Sequence, residues 1–250
     1  MADRPILFSG PMVRAILSGA KTQTRRALNP QPNVTLDYTK GRSVQRLRCV
    51  GLVPGGKKGL PWWQAEDERG PINAFADGRD SVKAEIGCPY GQVGDYLWVR
   101  ETFSVDTGSC SFGGVYSSFT TVTYRAGGEA SFEYEGRWED DPYLKAFNAQ
   151  RGDWRPSIYM PRWAARILLE VTAVRVERLQ DISRSDAKAE GFLPGLNGLE
   201  SWAGQSYGNA QEAYRACWDS LNAMRGYSWN VNPWVWVLEF NRVTPSCITA

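Results

Sequence analysis

The chemistry open to this chain is defined first by a missing residue. None of its 250 residues is histidine, which removes His-based triads, imidazole general bases, His metal ligands and the usual zinc-hydrolase sites. A threonine hydroxyl is a poor nucleophile until a neighbouring base takes its proton, and without imidazole a desolvated lysine is a sensible base. The cysteines, Cys49, Cys88, Cys110, Cys217 and Cys247, are scattered with no two within three residues of each other, so no zinc ribbon is expected. No clear Asp/Glu cluster marks a metal site, and no cofactor is expected.

The remaining chemistry-bearing types are arginines, lysines and tryptophans. Residues 1–30 hold Arg4, Arg14, Lys21, Arg25 and Arg26 against Asp3 alone, and residues 40–60 hold Lys40, Arg42, Arg46, Arg48, Lys57 and Lys58 with no acid. Arg151, Arg155, Arg162 and Arg166 add a third basic group, while acids gather at 66–68 and 129–141. On one face these bases would make a patch for phosphates; otherwise they belong to a mixed, solvated surface. Of the 11 tryptophans, Trp62, Trp63, Trp154 and Trp163 sit beside basic residues in irregular sequence, where stacking on bases competes with a structural role. Trp98, Trp218, Trp234 and Trp236 lie on periodic elements and are expected in the core.

Those elements can be read along the chain. Pro5 to Phe8 is a short apolar strand, followed by a helical stripe at positions 12, 13, 16 and 17 that Pro11 opens and Gly19 closes. Lys21 to Arg26 alternates like a strand. Residues from about 30 to 91 are rich in proline and glycine, which predicts an insertion of loops with at most short hairpins. Tyr96 to Phe103 is a strand; residues from about 104 to 156 form a second insertion with a strand at Thr120 to Arg125. Ile167 to Leu179 is a long β stretch whose apolar phase shifts near Thr172-Ala173. Ser183 starts a helix in capping-box style and Gly191 ends it. Asn209 to Met224 is a further helix with Ala213, Cys217 and Leu221 on one face, and Trp234 to Phe240 a closing strand. The order points to one α+β domain, 1–250, around a small, mostly antiparallel barrel.

Composition bounds the class. Hydrophobic residues make up 42% and charged residues 22%, ordinary globular usage, and a chain this long can bury a core without metal or disulfide staples. With 29 basic and 27 acidic residues, the formal charge of +2 is not that of a duplex-coating protein. An apolar signal core is missing at the N-terminus, and no run of about 18 apolar residues occurs. Together with unpaired thiols, this predicts a cytoplasmic protein with no membrane partner.

The stretch Gly19-Ala20-Lys21-Thr22-Gln23-Thr24-Arg25-Arg26, at a helix-to-strand junction, resembles the signature of the ASCH family, which has a PUA-like β-barrel fold with flanking helices. PILFSGPMVRAILSGAKTQTRR, CPYGQVGDYLWVRETF, WRPSIYMPRWAARILLEVTAVRVERLQDIS and NPWVWVLEFNRV look like the larger ASCH proteins of phages and prophages. The likeness spans residues 4–30, 88–103 and 154–243. More distantly, the chain is similar to the small bacterial N(4)-acetylcytidine amidohydrolases. That similarity implies Lys21 as proton acceptor, Thr24 as nucleophile and Glu190 as proton donor. Arg26 and Glu239-Phe240 match further positions, while Glu177, Asp181, Asp186 and Glu239 are alternative acids. Side chains three apart on an extended chain face opposite ways, so Lys21 must lie in the turn for this set to assemble. The competing reading is a solvated turn lysine and a strand threonine.

Trp98, Arg100, Glu101, Arg162 and Trp163 have no clear counterpart in the small enzymes. With Arg25 and Arg26 they are expected to contact substrate, because arginine beside tryptophan suits a phosphate and a stacked base. The first functional expectation is a hydrolase that removes an acyl group from the exocyclic amine of a modified nucleoside or nucleic-acid base. The second is a non-catalytic reader of RNA or modified DNA, and the third a ribonuclease.

Overall fold

The computed structural model describes residues 2–29, 31, 46–52, 61–67, 70–71, 88–112, 115–135, 153–192, 200–202 and 205–243. It is α+β with strands predominating, and among the described residues no sheet closes on itself. The chain divides into two compact units. One comprises Met1–Ala2, Gly19–Tyr96 and Glu170–Arg242; the other comprises Asp3–Ser18, Leu97–Leu169 and Val243–Ala250.

In the first unit, β2 (Gln23–Ala27) runs antiparallel to β13 (Trp234–Val243), with Thr24 opposite Leu238 and Arg25 opposite Val237. β13 is flanked on its other edge by β10 (Leu168–Arg178). Trp234 through Leu238 are all buried, so this strand is covered on both faces. In β10 the buried positions run Leu169 and Val171, then Val176, which is the change of phase anticipated near Thr172.

Two helices serve this unit. α2 (Arg184–Ala189) packs on α3 (Ala210–Asn222). Asn209 caps α3 by accepting from the Glu212 amide, and the helix buries Ala210, Ala213, Tyr214, Cys217 and Trp218. That spacing of three and four is the stripe of a one-sided helix. Leu221, expected on the same face, is 48% exposed because the cover ends one turn before the helix does. The 30–91 segment departs from expectation. Its described residues form an antiparallel sheet of β3 (Arg46–Leu52), β4 (Pro61–Asp67) and β5 (Gly70–Pro71), built by cross-strand pairing that local periodicity does not announce. β11 (Glu200–Trp202) and β12 (Gln205–Tyr207) make a small hairpin.

In the second unit, β1 (Asp3–Leu7) neighbours β6 (Tyr96–Arg100), and β6 neighbours the start of β10. α1 (Gly10–Leu17) has proline in its first turn and buries Val13 and Ile16. β7 (Phe103–Phe112), β8 (Val115–Tyr124) and β9 (Glu129–Glu135) form a meander. Its core of Phe103, Val105, Val122 and Tyr124 is completed by Met160 and Ala164.

Candidate functional site

Lys21 lies in the first unit, two positions before β2 begins. Its backbone makes a single antiparallel bridge to Glu190. The Thr22 amide donates to the Ala189 carbonyl at 2.8 Å, and the Phe240 amide donates to the Thr22 carbonyl at 2.9 Å, so this junction is held from both sides. The Lys21 ammonium then donates to Glu190 Oε2 at 2.6 Å and to the Glu190 carbonyl at 2.9 Å.

Glu190 is set by both ends of its short helix. At the start, Ser183 Oγ accepts from the Asp186 amide at 3.0 Å while Asp186 Oδ2 accepts from the Ser183 amide at 3.2 Å, a reciprocal capping box. At the end, the Phe192 amide reaches the Ala187 carbonyl and the Gly191 amide reaches the Lys188 carbonyl, the paired bonds of a Schellman turn. That turn needs a left-handed residue, and Gly191 supplies it with φ of 99°. Glu190 is the residue just before it, so its carbonyl is one that the helix leaves unbonded and Lys21 satisfies.

Lys21, Thr24 and Glu190 are 3%, 4% and 3% exposed. Burial lowers the Lys21 ammonium below its ordinary ionisation range; Glu190 opposes the shift by its charge and hydrogen bond, and Arg26 adds to it. The amine is thereby brought nearer the neutral form that a base requires.

Along β2 the pleat sends Gln23 and Arg25 to one face and Thr24 and Arg26 to the other. Arg25 is fully withdrawn from solvent. Its Nη2 pairs with Glu177 at 3.1 Å and Asp186 at 3.2 Å, and its Nη1 stands 3.6 Å from Glu190 Oε1. Arg175 binds the same acids, with Glu177 at 2.6 Å and Asp186 at 3.2 Å, and also pairs with Glu239. The Gln23 amide fits between them when its nitrogen faces Asp186 at 3.3 Å and its oxygen faces Arg175 at 2.6 Å. The partners of Arg25 among the described residues are thus the carboxylates of Glu177, Asp186 and Glu190. Burial raises the Asp186 carboxyl, but the Ser183 hydrogen bond and Arg25 outweigh it and hold the group below its usual range.

Two residues that sequence reasoning did not single out as functional face the same junction. Tyr214 and Cys217 lie on the buried stripe of α3. Burial, then the Glu190 charge, pushes the Tyr214 hydroxyl well above its ordinary range. Burial also pushes the Cys217 thiol up to about 12, although Lys21 pulls the other way. In the sequence both look like ordinary members of an apolar stripe, and only a polar atom on that stripe hints at more.

The other expected substrate contacts belong to the second unit. Trp98 is buried, with the Arg100 guanidinium 4.5 Å from its ring centroid and that of Arg162 at 5.9 Å. Arg162 pairs with Asp3 at 2.6 Å, and Arg100 donates to the Ile158 carbonyl at 3.2 Å. Glu101 is buried and accepts from Arg166 Nε at 2.8 Å and Nη2 at 2.9 Å. Burial raises its carboxyl and Arg166 pulls it back, and Arg166 also lies 3.9 Å from the Tyr124 ring centroid. Trp163 packs edge-on against Phe132 at 5.3 Å. Trp98, Arg100 and Arg162 are thus brought together, while Glu101 and Trp163 have separate partners in Arg166 and Phe132; Lys21, Thr24, Arg25, Arg26 and Glu190 belong to the first unit.

Among the described residues, no group of three or more cysteine, aspartate or glutamate side chains is placed to hold a metal ion. Glu177, Asp186 and Glu239 are gathered round arginines instead. No described helix is long and apolar enough to cross a membrane. Comparison of the chain with protein-family models, with characterised proteins and with solved structures finds no match.

Proposed function

We propose that the Lys21–Glu190 pair is the acid–base centre of a hydrolase that removes an acyl group from the exocyclic amine of a modified nucleoside or nucleic-acid base, with Thr24 as nucleophile. The observation that carries this reading is the buried Lys21 ammonium, lowered in basicity and bonded at 2.6 Å to a carboxylate. On this reading the α+β fold is of the PUA-like type, and the protein works in the cytoplasm of a bacterium or a phage-infected cell.

The proton needed is already present. In this scheme the Lys21 proton passes along the 2.6 Å hydrogen bond to Glu190, leaving a neutral amine and a neutral carboxylic acid. The amine takes the Thr24 proton as the threonine oxygen bonds to the acyl carbon. The carbon–nitrogen bond breaks as Glu190 gives its proton to the leaving exocyclic amine. In the second half, water adds its oxygen to the acyl carbon and its proton goes to Glu190. The Thr24 oxygen leaves with a proton from Lys21, and transfer from Glu190 to Lys21 restores the ion pair. Neither a metal nor a cofactor is required. Because the three residues are nearly closed to solvent, the scheme needs the acyl amide to enter a dry site, where these charges act most strongly.

Thr24→Val tests the assignment. Turnover should disappear while affinity for the nucleoside product is kept. A variant that still turns over removes Thr24 from the chemistry.

One observation favours the second reading, recognition of nucleic acid without turnover. In the second unit Trp154 is 47% and Tyr159 68% exposed, and the Arg125 guanidinium lies 5.8 Å from the Trp154 ring centroid. An exposed ring beside a guanidinium suits stacking on an unpaired base. That reading predicts salt-sensitive oligonucleotide binding, weakened by Trp154→Ala and indifferent to Thr24→Val.

A further inference from the structure

Among the buried polar atoms without a hydrogen-bond partner, Glu190 Oε1 and the hydroxyl of Tyr214 belong to the Lys21 junction. Glu190 gives Oε2 to Lys21, and Arg25 Nη1 stands 3.6 Å from Oε1, too far for a hydrogen bond. Tyr214 is 4% exposed. Phe192, two positions beyond Glu190, meets its ring edge-on at 5.8 Å, and Trp218 and Trp229 hold it at 6.2 and 6.4 Å. The Schellman turn that fixes Glu190 thus also fixes a ring that holds Tyr214 in place.

Buried polar groups are normally paired, and an unpaired one is kept against a penalty. Here one orphan is a donor and the other an acceptor. A secondary amide presents the complement, a carbonyl acceptor and an N–H donor. We propose that Tyr214 is a substrate-contacting residue, its hydroxyl donating to the acyl oxygen while Glu190 Oε1 accepts from the amide N–H, so that the site selects secondary amides. This rests on the acyl-hydrolase reading above and specifies its substrate class. The hydroxyl stays protonated at working pH, since burial and the Glu190 charge both oppose its ionisation. As the carbonyl carbon becomes tetrahedral, charge gathers on the acyl oxygen, and a fixed donor stabilises that charge more than it stabilises the ground state.

The test compares wild type with Tyr214→Phe on N(4)-acetylcytidine, and measures the melting temperature of both. Loss of one such donor lowers kcat about 100-fold with KM little changed. The melting temperature should not fall, because the hydroxyl has no partner in the fold to lose. A lower melting temperature or failure to fold, or unchanged kcat, overturns the proposal. Wild type is also tested on the N(4)-methylated tertiary amide, which has no N–H; turnover equal to that of the secondary amide overturns the role of Oε1. A wild type inactive on N(4)-acetylcytidine defeats the hydrolase reading and this proposal together, whereas an active wild type matched by Tyr214→Phe defeats this proposal alone.

Discussion

Lys21 and Glu190, 169 positions apart in the chain, are bonded twice, ammonium to carboxylate at 2.6 Å and ammonium to backbone carbonyl at 2.9 Å. The pair joins the entrance of β2 to the end of α2 and is nearly closed to solvent. Such a pair is held by mutual compensation: each charge is tolerable only because the other is there. The same arrangement fastens the entrance of β2 to the end of α2.

Removing one partner is accordingly expected to cost more than removing both. Lys21→Met should lower stability by about 3–5 kcal/mol, the typical result of breaking a buried pair by removing one partner. The double change Lys21→Met/Glu190→Leu should recover most of that. Urea unfolding of wild type, Lys21→Met, Glu190→Leu and the double variant measures the coupling, and additive losses would show that the two charges do not depend on each other.

Lys21 and Cys217 give opposite pH signatures. The native Lys21 value lies below 10.5, so between that value and 10.5 the unfolded chain binds a proton the native one lacks, and stability gains with rising pH from this residue. For Cys217, between 9.0 and about 12 the native thiol keeps a proton that the unfolded one releases. Its contribution falls with rising pH, by at most about 1.4 kcal/mol per unit. Unfolding of wild type and Cys217→Ser from neutral pH to pH ~10.5 should show the wild type losing ground above pH ~9. Parallel curves would mean the thiol is not shielded.

In the second unit the Glu101–Arg166 pair makes a separate test. Arg166→Met leaves the Glu101 carboxylate buried without its cation, at about 3–5 kcal/mol near neutrality. The loss should shrink on acidification, because the raised carboxyl takes a proton and the orphan charge disappears. A loss that is constant with pH would place its origin in Arg166 packing on Tyr124.

The ends of α2 can be separated from the site itself. Ser183→Ala removes the cap and is expected to cost about 1 kcal/mol. Gly191→Ala forces a Cβ into a left-handed residue, at about 1–2 kcal/mol, and sits beside Glu190. If the Glu190 position governs turnover, Gly191→Ala should reduce kcat beyond what its stability loss explains, and Ser183→Ala should not. Equal effects on kcat would detach the turn from the chemistry.

How much of this was legible in the sequence follows from the range of the interactions. Caps are local, so Ser183, Gly191 and Asn209 mark their helices plainly, and of the stripe read as Ala213, Cys217 and Leu221 the first two are buried and Leu221 is not. Lys21 and Glu190 came forward only through the likeness of the Gly19 to Arg26 junction, since no pattern in one chain links residues so far apart. The sequence does not announce that Arg25 is buried, because a strand reading Lys-Thr-Gln-Thr-Arg-Arg carries no apolar alternation. Its burial depends on Glu177 and Asp186, 152 and 161 positions away, whose charges only the fold brings near. The β3–β4 pairing was hidden by prolines and glycines that argue for loops.

The central claim, that the buried Lys21–Glu190 pair drives acyl hydrolysis, is tested most directly by incubating purified wild type, Lys21→Ala and Glu190→Gln with N(4)-acetylcytidine and separating the products by chromatography. Wild type should release cytidine and acetate, with no release above background by either variant. No turnover by a folded wild type, across this and other acylated nucleosides, would contradict it and leave the pair as a fastening between β2 and α2.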